Sequence, residues 1–273
     1  MKQYVMSVVL MTAAVCASAQ SKPKPEPYFS FRELPNMLKW CPAPPDTTGA
    51  AFAYDIMQYM WGKEMRQDKE RADIAIRDAV YTLECIALEF SEPFGLQISE
   101  VGTPEIWKLL RDAKATCENI SGFPKFYYKR KRPFMRFQEP TATPQFEPDL
   151  RRNYSYPSGH TILGWTAALL LTEINPERAD TILARGMMYG ESRVIVGAHW
   201  QSDVDAGRLA AAAAYSRMHT NERFLEQMRL ARLEFRIKTG QATKDEEKAY
   251  RKELEKRAKA QAKEAKANTK KAA

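Results

Sequence analysis

Apolar residues recur with a period near that of a helix along most of this chain. Within 50–67 they fall at Phe52, Ile56, Met57 and Met60, and within 71–90 at Ile74, Ile76, Val80, Leu83 and Ala87, a spacing that lines one helical face. A third helix is predicted over 104–120, with Pro104 in its first turn and Thr103 as its cap, because proline has no N–H to lose there. A fourth occupies the apolar run 161–174. The next opens at Asn175 and Pro176, a cap followed by a first-turn proline, and carries Glu191, Ser192 and Arg193. Gly197 breaks it, and a further helix runs from His199 through Asp203 and Gly207 into an alanine-rich stretch ending at Tyr215. Few segments alternate with period two, so the pattern predicts an all-α helical bundle.

The flanks read differently. Residues 1–19 carry Lys2, an apolar stretch over 8–15, and Ala17, Ser18 and Ala19 before Gln20. That is the layout of a secretory signal peptide cleaved after Ala19, too short for a membrane anchor. Residues 20–48 are proline-rich and aperiodic, an extended lead-in in which Phe29, Phe31, Leu34, Leu38 and Trp40 argue for docking on the body. Residues 49–240 form the helical body. Residues 241–273, rich in Lys, Glu and Ala, form a solvated helix or a disordered extension. After the leader no stretch approaches the roughly 20 apolar residues of a membrane span. Inside the body, 133–157 holds Pro140, Pro144 and Pro148 and is expected to be one long irregular loop. It is either a lid shaped by Arg151, Tyr154 and Tyr156 or a plain connector.

The formal net charge of +8 gathers largely in the tail, so it says little about the body, and nucleic acid is not the expected partner. Of four cysteines, Cys16 leaves with the leader; an exported chain could join two of Cys41, Cys85 and Cys117, and which two stays open. Neither the histidines nor the cysteines have metal-ligand spacing, so no metal and no cofactor is expected.

The chemistry concentrates around two of the three histidines. Ser158 is a good N-cap, Gly159 lets a ligand approach the backbone, and His160 sits in the first turn of the helix that follows. A helix N-terminus offers unpaired N–H groups and suits an anion. His199 and Asp203 are four apart, expected on one helical face, so that the carboxylate holds one imidazole nitrogen and leaves the other free to attack. Arg193 adds a planar fork of donors. Lys125 and Arg132, seven apart and followed by Pro133, are expected to share a helical face. Three cations and a helix N-terminus are what phosphoryl transfer needs, since its catalysis is mostly positioning and charge stabilisation. His219 reads as a residue of a helix C-terminus.

These blocks, Lys125 with Arg132 and Pro133, then Pro157, Ser158, Gly159 and His160, then Ser192, Arg193, His199 and Asp203, resemble the signature of the PAP2 acid phosphatase and vanadium haloperoxidase superfamily. Every fixed position is filled. The stretches 155–172 and 190–208 resemble the bacterial class A non-specific acid phosphatases, and the similarity extends over about 44–235. The resemblance implies a helical bundle in which His199 is the nucleophile that becomes phosphohistidine, Asp203 orients it, and His160 is the general acid. Lys125, Arg132, Arg193, Ser158 and the N–H of Gly159 would hold the phosphoryl oxygens. It implies a metal-independent acid phosphatase acting on a broad range of small phosphate monoesters, with an acidic optimum; a pocket built from side chains and backbone predicts vanadate inhibition and indifference to chelators. Its place would be the periplasm or the medium, and a homo-oligomer is compatible with it. A vanadate-dependent haloperoxidase and a phosphate-binding protein without turnover are the competing readings; likeness outside the signature places the phosphatase first.

Overall fold

The computed structural model describes residues 24–272, with 11 α-helices and no strand among them. The helices are α1 (Ala50–Met65), α2 (Lys69–Arg77), α3 (Leu83–Phe94), α4 (Pro104–Tyr128), α5 (Pro133–Phe137), α6 (Glu147–Arg152), α7 (Gly159–Ile174), α8 (Ala179–Ile195), α9 (Gln201–Met218), α10 (Glu222–Lys238) and α11 (Lys244–Ala272). The leader at 1–19 lies outside the described residues. The all-α expectation holds.

The apolar helix α7 packs against α8 and α9 and also meets α4 and α10. Ile162, Leu163, Ala168, Leu170 and Leu171 of α7 are buried with Ile106, Leu109 and Leu110 of α4, Ile182 and Tyr189 of α8 and Ala210, Ala211 and Ala214 of α9. Fully burying one such aliphatic side chain contributes about 1.5–3 kcal/mol. A Cβ added at Gly207 would stand 2.9 Å from the Cβ of Thr161 and 3.0 Å from the carbonyl oxygen of Ser158. The absent side chain therefore brings α9 against the first turn of α7, where the candidate chemistry sits.

Several local expectations are corrected. The helix expected over 71–90 is two helices. Thr82 caps α3, its hydroxyl accepting from the Cys85 N–H at 3.1 Å, and the link between them buries Asp78. The third helix runs on to Tyr128, through Pro124. Thr103 makes no side-chain cap there; its hydroxyl instead accepts from the Ser99 N–H at 2.9 Å. Asn175 does not cap α8 either: Pro176–Arg178 forms a 3-10 turn, α8 starts at Ala179, and the Asn175 amide donates to the Phe94 carbonyl at 2.8 Å. The segment 133–157 is not one irregular loop, since it folds α5, a 3-10 turn at Pro144–Phe146 and α6.

The lead-in docks, though only with part of its apolar set. Tyr28, Phe29, Leu34, Met37 and Cys41 are buried, whereas Phe31 and Trp40 remain exposed. The tail is helical, and its start is tied to α10 by Arg236 with Glu246 at 3.0 Å and by Arg257 with Glu226 at 3.0 Å. Cys41, Cys85 and Cys117 are free thiols, so none of the pairings the sequence left open forms in this fold. No described helix is long and apolar enough to cross a membrane.

Candidate active site

Three local devices bring six of the eight predicted residues, Lys125, Arg132, Gly159, His160, Arg193 and His199, to the wall of one cavity of about 710 Å³, whereas Ser158 and Asp203 are fully buried and do not line it. The first is the start of α7. The Ser158 hydroxyl accepts from the Thr161 N–H at 3.3 Å, as an N-cap does, so Gly159 and His160 open the helix with their N–H groups at its positive end. The second is the end of α8. Gly197, at φ +81°, takes a left-handed conformation that costs glycine little and turns the chain so that Arg193 and His199 reach the same space. The third is the corner after α4. Lys129, at φ 46°, ends α4, and Arg132 precedes α5.

That corner corrects one expectation: Lys125 and Arg132 do not share a helical face. They meet by converging on one acceptor, the carbonyl of Tyr154, at 2.8 Å from Lys125 Nζ and 3.2 Å from Arg132 Nη2. His199 likewise lies outside the helix, two residues before α9, with Trp200 between. Asp203 still reaches it, 3.2 Å from His199 Nδ1. The same carboxylate accepts from the Trp200 N–H at 2.9 Å, from Ser155 Oγ and from Arg130 Nη1 at 2.6 Å. With Nδ1–H donated to Asp203, Nε2 carries the lone pair, and it lies 2.8 Å from Arg132 Nη1.

Arg130, Ser155, Asp55 and Ser202 were not singled out in the sequence. Arg130 bridges Asp203 and Asp55, the latter at 2.6 Å, and Asp55 also accepts from Ser202 at 2.6 Å. Arg130 stands in the basic run next to the expected Arg132, but Asp55 is 75 residues away from it, and no local signal joins them. Of the three residues expected to shape the entrance, only Tyr154 lines the cavity. Tyr156 is buried and donates to the Pro42 carbonyl, while Arg151 lies over the Phe134 ring at 4.8 Å. His219 does end a helix, and it has a partner the sequence did not show, Glu173 at 3.1 Å.

The electrostatics of the pocket are those of cations kept from water. His199 is held well below the usual imidazole range by burial, then by Arg132, Lys125 and Arg193. His160 is lowered likewise by burial and Arg193, against the opposing pull of the Ala79 carbonyl 3.1 Å from its Nε2. Burial and Arg132 depress Lys125 well below its ordinary value. Burial also pulls Arg132 down to about 9 and Arg193 down to about 10. Arg193 is 1 % exposed, yet its Nε and Nη1 have no partner. A buried guanidinium with idle donors is costly unless an anion completes it.

The PAP2 superfamily profile matches residues 113–223, which span all of these blocks. A non-specific acid phosphatase of Providencia stuartii is 40 % identical over 78 % of this chain and 86 % of its own length. One of Salmonella typhimurium is 36 % identical over 88 % of this chain and 96 % of its own length. The chain belongs to the PAP2 superfamily. Within it the protein is an acid phosphatase of the bacterial non-specific kind, and the helical PAP2 fold carries its pocket. Identity at this level over most of both chains reaches well beyond the signature residues, into the helices that position them.

Proposed function

We propose that this acid phosphatase hydrolyses a broad range of phosphate monoesters without a metal, through a phosphohistidine on His199. The observation that carries the reading is His199 Nε2, freed by the Nδ1–Asp203 bond and set in a cavity with Lys125, Arg132 and Arg193. The phosphoryl oxygens take the idle donors of Arg193, the Lys125 ammonium and the N–H of Gly159, and they draw Arg132 off the Nε2 lone pair. Nε2 attacks phosphorus as the ester P–O bond breaks. Asp203, braced by Arg130 and Ser155, stabilises the positive charge that grows on the ring.

His160 protonates the leaving oxygen from Nδ1, its Nε2–H being donated to the Ala79 carbonyl. It then takes a proton from the water that attacks phosphohistidine, which releases phosphate and returns His199 neutral. General acid–base help of this kind contributes about 10²–10⁴-fold. In the empty pocket His160 is neutral, and the dianion of the substrate raises its proton affinity, so turnover favours acidic pH. Side chains supply the positive charge that a metal would otherwise bring, so activity should be indifferent to EDTA. The leader at 1–19 directs export to the periplasm, the mature body being 49–240 with its lead-in and tail.

The test is release of p-nitrophenol from its phosphate ester in EDTA, with radiolabelled substrate quenched in alkali, which preserves phosphohistidine. Wild type should turn over and carry label on His199, and His199→Ala should lose roughly 10³-fold or more in kcat. Restoration by a divalent ion of activity lost to EDTA, or label on another residue, would overturn the reading.

A further inference from the structure

Beyond the phosphate-holding cations the cavity continues along α4. Glu118, Gly122 and Phe126 follow one another at four-residue spacing and all line it, so they form a single row on one helical face. The middle position is empty: a Cβ added at Gly122 would meet nothing within 4 Å. At the end of the row Phe126 is 70 % exposed, and the Tyr154 ring meets it edge-on, 6.0 Å between centroids and 81° between planes. Phe146 and Leu150 add apolar surface to the same cavity.

The other aromatic wall is unlike this one. Tyr81 is already engaged, its ring 4.7 Å from that of His160 and 4.7 Å from the ammonium of Lys114. The free aromatic face is therefore on the α4 side. It is also rigidly indexed to the phosphate site. Phe126 follows Lys125 in sequence, and the carbonyl of Tyr154 is the acceptor on which Lys125 and Arg132 converge.

We infer that Gly122, Phe126 and Tyr154 form a subsite for the leaving group, a slot that takes a flat aromatic ring over the glycine and against Phe126, and so selects aromatic over aliphatic phosphate monoesters. The inference rests on the phosphate-site reading above and adds the substrate class. The space over Gly122 is open, so a planar ring laid there can reach Phe126, whereas a short aliphatic group has little to touch. Edge-to-face and offset packing of a ligand ring on Phe126 is favourable because the ring faces are electron-rich and the edges electron-poor.

The experiment is calorimetric binding of benzylphosphonate and propylphosphonate, neither of which can be hydrolysed at its P–C bond, to the full chain. Wild type should prefer the benzyl compound by at least about threefold. Phe126→Ala should bring that preference close to one, and Gly122→Leu, which fills the slot, should do the same. Leucine is the better helix former, and a Cβ at this half-buried position meets nothing within 4 Å, so a melting temperature no lower than wild type would separate occlusion from misfolding. The ratio of kcat/KM for phenyl and glycerol phosphates should move in the same direction. Binding of both compounds without preference in wild type, or a preference that survives both variants, would overturn the subsite alone. Failure to bind either compound would overturn the phosphate-site reading and the subsite with it.

Discussion

Two buried charge clusters meet on α8 at consecutive residues, and they are built on opposite plans. Ser192 belongs to the first. Its hydroxyl donates to Asp78 at 2.7 Å, Asp78 is gripped by Arg185, and Arg185 also reaches Glu89 at 3.0 Å, which Arg77 holds at 2.8 Å. Cations and carboxylates alternate there. Arg193 belongs to the second, where Lys125, Arg132 and Arg193 share a cavity with His199 and the carboxylate that acts on Lys125 and Arg132, Asp203, is already occupied by other donors. The first cluster is complete and joins α2, α3 and α8. The second is short of negative charge, and the fold tolerates that deficit because the first cluster and the α7 core hold the frame around it. A buried cluster complete within the protein reads as structure; one missing a counter-charge reads as a binding site.

Breaking the complete cluster should have the largest effect on stability. Arg185→Ala strands Asp78 at 0 % exposure, and the expected loss is about 3–5 kcal/mol, measured by denaturant unfolding. A loss under about 1 kcal/mol would mean that Asp78 finds another partner and that the contrast is false.

The matched change at the residue after Ser192 should behave in the reverse way. Arg193→Met removes a cation whose Nε and Nη1 have no partner, so kcat/KM should fall about 10²–10³-fold while the melting temperature holds or rises. A melting loss as large as that of Arg185→Ala would place Arg193 with the structural cluster.

Inorganic phosphate should supply the missing charge. At 100 times its dissociation constant it should stabilise the fold by about 2.7 kcal/mol, and at the same concentration Arg193→Met should gain clearly less. An unchanged melting temperature in wild type would remove the anion from the comparison.

The smallest effect expected is on pH dependence. His160 and His199 have folded-state proton affinities well below the usual imidazole value, so below about pH 6.5 the unfolded chain binds protons that the empty fold refuses. Their contribution to stability is therefore present above that pH and lost as pH falls. Phosphate, by raising both affinities, should flatten the decline. Melting curves from pH 7.5 to 5 with and without phosphate would show it; identical slopes would argue against an anion at these histidines.

Much of the site was legible because its pieces are local. The cap at Ser158, the opening of α7 at Gly159 and the turn at Gly197 follow from what serine and glycine do at helix ends, and spacing alone brought His199 and Asp203 together. Yet the reason for that pair was misread: the two meet because Asp203 also takes the Trp200 N–H at the start of α9, not because both lie on a helix. The break between α2 and α3 was missed because Val80 continues the helical spacing, while the buried pair of Asp78 with Arg185, 107 residues on, holds the link.

Short-range rules thus account for the bundle's helices, for the glycine and serine positions that end or start them, and for which charged residues flank them. They reach only a few residues along the chain. The convergence of Lys125 and Arg132 on Tyr154, the bracing of Asp203 by Arg130 and Ser155, and the division of α8 between a satisfied cluster and a hungry one all depend on residues tens of positions apart. Whether a buried charge is paired or left open is set by which distant helices pack against it, because in a dry interior the partner within about 4 Å decides the energy, and sequence neighbours do not supply that partner.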